Sequence, residues 1–497
     1  LSPSSSVVAP PRGPPPRTSP SCFLITRAAP QLMSHATASR GLQLDRGLTL
    51  IPATAVIMAN VIGTGVFMKA RVMTANVGSP GLVLIAYIAA GLLALAGCLV
   101  LGELAAMMPR SGGAFNFLGA AYGRRWAFLY AWTQGLAVGA GVAAVAILTV
   151  TFLNDATGGA LSPFQLRALP VAVIGVGAGL NLLSVRATGG VATCLTGIKI
   201  GLVLTIAFGA FALSDGSFDH FGMSGAAGAA HGVPEASRLG LGGFGAAMAG
   251  ALWSYNGWAI ITTVGGEVRD PGRILPKAMV LATLLVLVLY LFINASYFFA
   301  MTPLEITDLP EHVSVAGSTV ERFAGAGLTS LLTTGLVISA YGTLHTSLLT
   351  GSRIPFAMAT RGLAPASFRK LNRRQVPSTA VIALALWASA LVLTGTFDSL
   401  TDVTIFLVWV FVGLTGTAVF RLRRRFPDAP RPYRVFGFPV VPVLFLLATG
   451  FMLASMLIST PMRCLAGSAM IITGVPVYAF FRRHAPKLEG EAWFGEE

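Results

Sequence analysis

Two short runs of helix-loosening residues hold most of the chemistry available to this chain. The first, Ile62-Gly63-Thr64-Gly65-Val66, interrupts an apolar segment from Leu48 to Val77. Two glycines around a threonine are poor helix formers, and lipid offers no water to a freed backbone group. A membrane segment keeps such a break where its loose N–H and C=O groups bind something. Amides at the start of a half-helix suit a carboxylate, and loose carbonyls suit an ammonium, so the expected cargo is a small zwitterion. The second run, Trp253-Ser254-Tyr255-Asn256-Gly257, loosens a later apolar segment in the same way. A kink that only improves packing is the alternative reading of either run.

Other residues stand out against apolar surroundings. Lys199, within Gly197-Ile198-Lys199-Ile200-Gly201, places an ammonium deep in hydrocarbon, which is costly and usually marks function. A buried lysine can also carry a coupling proton, whereas a lysine near a span end would snorkel. His345 lies in the eighth apolar segment and either tunes selectivity or faces lipid. Glu103, Glu267 and Arg353 fall near span ends, where they form either an inner gate or static pairs.

The elements that must position these residues follow from composition. The 497 residues are 54% hydrophobic and 11% charged, against about 25% charged in soluble domains. With a mean hydropathy of +0.74, the chain reads as an all-α polytopic membrane protein. Twelve apolar spans are expected at 48–75, 81–108, 125–154, 167–184, 189–213, 243–267, 275–301, 327–359, 378–396, 400–420, 438–459 and 463–482. The interruptions fall in spans 1 and 6, five spans apart. Paired breaks of this kind predict a 5+5 inverted repeat with a site at mid-membrane. The division expected is a first repeat at 44–213, an extracellular loop at 214–242, a second repeat at 243–420 and two further spans at 421–483. Residues 1–43 are rich in Pro, Ser and Arg, lack the long apolar stretch of a signal peptide, and read as a disordered cytoplasmic tail. Residues 484–497 read as a second cytoplasmic tail.

The formal charge of +15 has a regular placement. Alternate connections carry 21 Lys and Arg, among them Arg124, Arg269, Arg369, Arg424 and Arg482, while the other set carries 6, including Lys69 and Arg71. The positive-inside rule puts the rich set and both termini in the cytoplasm, and the alternation argues against nucleic acid as a partner. The four cysteines are scattered, and no disulfide framework, metal-ligand spacing, phosphate loop or nucleophile motif is visible. Neither cofactor nor metal nor enzymatic activity is expected.

Motifs in order along residues 47–483 resemble the L-type amino acid transporters of the amino acid–polyamine–organocation superfamily. Gly63-Thr64-Gly65-Val66-Phe67 is similar to their GSGIF run, and Gly78-Ser79-Pro80-Gly81 to their GSPG turn. Glu103-Leu104 with Pro109 to Gly113, Tyr255 to Trp258 with Glu267, Pro271 and Arg273, Gly351-Ser352-Arg353, and Arg431 to Arg434 with Phe438-Pro439 continue the series. The resemblance implies a bacterial member, in the cell membrane, with the LeuT-like fold. It implies a carboxylate held by amides of Gly63, Thr64 and Gly65, and an ammonium held by carbonyls near Ile62 and at Trp253 and Asn256, with Ser254, Tyr255 and Gly257 completing the second break. It further implies that Trp253 closes over the cargo, and that Lys199 takes the place of a sodium ion against the first and eighth spans, with Thr343 and Ser347 as its partners. Asn256 replaces a family glycine and is a candidate for selectivity. The 154–166 connection holds no cysteine, so no covalently attached ancillary subunit is expected.

The function expected is secondary active transport of neutral L-amino acids, by exchange or with protons. A polyamine or cationic amino acid exchanger and a transport-inactive amino acid sensor remain open alternatives. Beyond its amino acid substrate, membrane lipid and protons are the partners expected.

Overall fold

Pro271 at the first turn of one helix and the Thr396–Ser399 capping box of another illustrate how local sequence starts these elements. A proline there lacks only an N–H that would be unpaired anyway, and the Thr396 side chain accepts from the Ser399 N–H. The structure, a computed structural model, describes residues 48–63, 65–110, 112–183, 188–225, 240–310, 313–360, 362–373 and 376–484. Thr64, the 1–43 tail and residues 485–497 lie outside the described residues.

The first span is two helices, α1 (Leu50–Val61) and α2 (Gly65–Val77), meeting at 48°. Then follow α3 (Pro80–Met107), a short α4 (Ala114–Tyr122), α5 (Arg124–Ala156), α6 (Pro163–Leu183) and α7 (Thr188–Leu213). The sixth span opens as α8 (Gly240–Ser254), turns over residues 255–259 and ends as a 3-10 helix, Ile260–Glu267. The rest comprises α9 (Pro271–Ala300), the short α10 (Pro303–Asp308) and α11 (Val315–Glu321), α12 (Ala326–Gly351), α13 (Arg353–Thr360), α14 (Ser378–Thr394), α15 (Phe397–Arg425), α16 (Val440–Ser459) and α17 (Pro461–His484).

Among the described residues, nine helices are long and apolar enough to cross a membrane, and the bent α1–α2 pair makes a tenth. The remaining two expected spans are α14, at 17 residues, and the interrupted sixth. The chain is therefore a polytopic helical membrane protein. Differences from the sequence reading are local. The eighth span, expected over 327–359, runs as α12 to Gly351, turns once at Ser352 and continues as α13, the two forming one apolar span over Gly327–Phe356. The tenth is longer than 400–420, because the arginines Arg423 to Arg425 remain helical in its last turn. There cations suit the negative end of the helix dipole. Helices α4, α10 and α11 fall in stretches read as loops, being too short to give a span signal.

Packing separates the helices into two groups. In one, α9 lies along α3 and α1, and α8 packs on α2 and α3. In the other, α5 packs on α12, α14, α15 and α6. Helix α7 touches both, through α9 and α1 on one side and α12 on the other. The two interrupted spans thus share one group, and the helix carrying Lys199 sits at the seam.

Candidate functional site: a cavity between two interrupted spans

The two breaks touch directly. A Cβ on Gly65 would stand 2.6 Å from Ser254 Oγ and 2.7 Å from Trp253 Cδ1, so a side chain there would force the segments apart. Gly257 has φ +114°, a conformation open to glycine, and a Cβ on it would stand 3.2 Å from Asn60 Cβ in the last turn of α1. Gly65 thus permits the close approach, and Gly257 the backbone shape, of the two runs.

A cavity of about 210 Å³ adjoins the breaks. Gly63, Gly65, Asn60, Trp253, Asn256 and Gly257 line its upper part. Its far wall is one face of α5, Tyr130, Gln134, Ala137, Val138, Gly141 and Val145, at the spacing of one helical stripe. Thr343, Ser347 and Thr350 of α12, and Thr404, Val408, Val412 and Thr415 of α15, supply the other sides. Along α15 this stripe runs from the first third past the middle, in the direction of the arginine-rich end, and Ala114 and Thr262 also line the cavity. The cavity therefore runs from the breaks toward the basic end of the molecule.

Toward the opposite end the path is closed. Trp253 stacks edge-on against Phe397, with ring centroids 6.2 Å apart. Above it Lys69 of α2 lies 4.9 Å over the Phe397 ring and donates to Asp398 Oδ1 and Thr401 Oγ1, each at 2.6 Å. Arg71 Nη2 reaches Asp398 Oδ2 at 3.4 Å, and Arg463 of α17 pairs with Asp402. The aromatic pair and the ion cluster together pin α2 to α15. Sequence reading missed Asp398, Phe397, Asn60 and Gln134 as site residues. A signal existed for Asp398: an acid at the start of an apolar span, matched by a cation in another.

The expected site residues divide as follows. Gly63, Gly65, Trp253, Asn256 and Gly257 come together on the cavity wall. Thr64 lies outside the described residues. Ile62, Ser254 and Tyr255 do not line it; all three are buried behind the breaks. Tyr255 turns outward from the site, donating to Tyr87 O at 3.2 Å and packing on Tyr290 at 5.2 Å. Ser254 Oγ lies 3.4 Å from Tyr87 Oη. Lys199, 3% exposed, donates to Ala59 O at 2.9 Å and to Thr343 Oγ1 at 2.7 Å, joining the first and eighth spans. Ser347 lies on the cavity wall, one turn from Thr343. His345 does not line the cavity. Two residues past Thr343 on α12, it points to the other face, where Asn181 Nδ2 of α6 stands 3.1 Å from its Nδ1.

Of the expected inner gate of Glu103, Glu267 and Arg353, the structure describes Glu103 in an ion pair with Arg423. Glu103 is buried and receives two hydrogen bonds from Arg423, at 2.9 and 2.6 Å, and one from the Val435 N–H at 2.7 Å. It clamps α3 to α15 and to the connection before α16. An ionised carboxylate at this depth requires such partners, and Arg423 offers a two-pronged fork. Arg353 is exposed and reaches back to Leu349 O at 3.3 Å, and the Glu267 side chain lies outside the described residues.

Comparison with known proteins adds to this geometry. The sequence matches the amino acid permease family over residues 48–481. It is 30% identical over 451 residues to the serine/threonine exchanger SteT of Bacillus subtilis (strain 168), covering 89% of this chain and 98% of that one. It is 29% identical over 469 residues to the large neutral amino acids transporter small subunit 2 of Homo sapiens, covering 90% and 83%. It is 28% identical over 443 residues to the b(0,+)-type amino acid transporter 1 of Rattus norvegicus, covering 86% of each. The match begins at the first interrupted span and ends within the last, so it takes in every wall of the cavity: this chain belongs to the amino acid permease family.

Proposed function

We propose that this permease exchanges neutral L-amino acids across a cell membrane by alternating access. The observation that carries the reading is the meeting of two interrupted spans at one cavity, with Gly63, Gly65, Asn256 and Gly257 on its wall. Peptide groups at the ends of half-helices bring oriented dipoles to the cargo's charges. Amides after the first break would take the carboxylate. Carbonyls of the second would take the ammonium.

The remaining wall supports a neutral side chain. Its polar members are hydroxyls, amides and indoles, including Tyr130, Gln134, Thr343, Ser347 and Thr404, and no carboxylate or ammonium among the described residues lines it. A cationic substrate would want an acid at that depth. The names of the relatives, a serine/threonine exchanger and a large neutral amino acids transporter, point the same way. The arrangement of repeats proposed is spans 1–5 and 6–10, related by inversion, with 11 and 12 outside them.

The basic end is placed in the cytoplasm by the positive-inside rule. The cavity then opens inward, and the Trp253–Phe397 pair with the Lys69–Asp398 cluster forms the closed outer side. Outward opening would require α2 to leave α15. Lys199 would stand as a fixed cation between the two helix groups and couple their motion to occupancy, with a proton as the other ion it can handle. Selectivity would lie with Asn256 and the α5 face. The chain would work without a disulfide-linked partner.

The test is uptake of radiolabelled L-serine and L-leucine into proteoliposomes, preloaded or empty, with and without a pH gradient. Uptake that requires internal amino acid is expected. Lys199→Ala should reduce it at least tenfold. Absence of flux in every condition would refute transport, and unchanged kinetics of Lys199→Ala would remove that residue from the mechanism.

A further inference from the structure

Behind the breaks, on the side away from the cavity, one hydroxyl serves both of them. Tyr290 of α9 is fully buried. Its Oη lies 2.7 Å from Val61 O and 2.8 Å from Ser254 O. Val61 is the last residue of α1 and Ser254 the last of α8. The final carbonyls of a helix have no partner within it and concentrate its negative dipole end. Two such ends from the two interrupted spans therefore converge on a single O–H.

The consequence reaches the cavity through the chain. The peptide unit of Val61 leads through Ile62 to Gly63, and that of Ser254 through Tyr255 to Asn256; Gly63 and Asn256 both line the wall. Rotating either carbonyl would turn the amides that follow it. The Ile62 N–H donates to Met58 O at 2.8 Å, and Val61 O accepts from the Gly63 N–H at 2.6 Å as well as from Tyr290, so this one carbonyl joins the hydroxyl to the first peptide group of the wall. The phenol ring itself is held by Tyr87 and Tyr255, at 6.1 and 5.2 Å. A rigid ring thus presents a donor at the junction of both half-helices.

We propose that Tyr290 is a positioning residue for cargo recognition: its hydroxyl orients the terminal carbonyls of α1 and α8, and through them the peptide groups facing the substrate. It touches no substrate itself. This rests on the transport reading above, and it assigns to a residue outside the cavity the task of setting affinity.

The experiment compares three hydroxyl deletions in the full-length protein. Tyr290→Phe keeps the ring and its aromatic contacts but removes the donor. Tyr297→Phe lies two turns along the same helix and deletes a buried hydroxyl that has no hydrogen-bond partner among the described residues. Tyr87→Phe deletes the hydroxyl near Ser254 Oγ without touching the two carbonyls. Exchange of radiolabelled L-serine and L-leucine in proteoliposomes should show a KM raised about tenfold for Tyr290→Phe, with maximal rate within a factor of about 2. Both controls should stay within a factor of about 2 in each parameter. Incorporation of 4-aminophenylalanine at 290, which retains N–H donors, should restore the KM. The proposal is overturned if Tyr290→Phe has the KM of Tyr297→Phe, if 4-aminophenylalanine fails to restore it, or if Tyr290→Phe alone does not fold, since the hydroxyl would then hold the fold rather than tune the site. Lack of exchange by the unmodified protein would instead refute the transport reading.

Discussion

At the scale of single residues, the two glycines of the first break do different work. A Cβ on Gly63 would find its nearest neighbour, Val61 O, at 3.7 Å, whereas one on Gly65 would collide with Ser254 and Trp253. Gly65→Ala should therefore cost about 1–3 kcal/mol of stability through forced separation of the breaks, and exchange should fall at least tenfold. Gly63→Ala should fold normally and act on substrate KM, because its methyl would enter the cavity. Thermal unfolding of the purified protein, beside exchange kinetics, separates the two. Equal loss of stability in both variants would contradict the contact geometry. Lys199 illustrates a residue whose depth was legible from its surroundings, and Thr343 was foreseen as its neighbour. Its second partner, the carbonyl of Ala59, required the fold.

At the scale of elements, the contact between α2 and α15 is the outer seam of the cavity. Lys69 is 1% exposed, and Asp398 supplies most of its compensation. Removing one member of a buried pair strands the other charge at a cost of about 3–5 kcal/mol, while replacing both by apolar residues is often neutral. Asp398→Leu should accordingly lower thermal stability markedly, and adding Lys69→Met should recover much of that loss. A double variant as unstable as the sum of the singles would mean that the two residues act independently. Restored stability need not restore exchange, since a seam that must open and close uses the balance between pairing and solvation. Glu103 belongs to the same scale. Three donors converge on it from α15 and the connection before α16, so it fastens the end of the molecule where α3 and α15 meet.

At the scale of the molecule, charge placement and cavity direction combine into one expectation. The basic connections cluster at the end toward which the cavity runs, and the acidic cap helices α10 and α11 lie at the other. With the basic end in the cytoplasm, a thiol introduced as Arg434→Cys should react with a membrane-impermeant maleimide only from inside. One at Leu304→Cys, which is 55% exposed, should react only from outside. Cys98 and Cys464 are buried, and Cys22 and Cys194 would be replaced by serine for the assay. Labelling of both sites from the same side would break the assigned topology.

Hydropathy and charge alternation determined that the chain crosses a membrane repeatedly and where the spans fall, because insertion in lipid is governed by local apolar length and flanking cations. The breaks were legible too: Gly63, Gly65 and Gly257 weaken a helix wherever they occur. What tertiary structure decided was direction. Ser254 and Tyr255 sit beside residues of the cavity wall yet face α9 and α3, Ile62 is buried off that wall, and His345 is two positions from Thr343 but on the opposite face. Glu103 joins Arg423 across 320 residues of sequence, and the Lys69–Asp398 pair closes over 329. Side-chain direction depends on how a helix is rotated against its neighbours. That rotation is set by packing between segments far apart in the chain, which no local window of sequence contains.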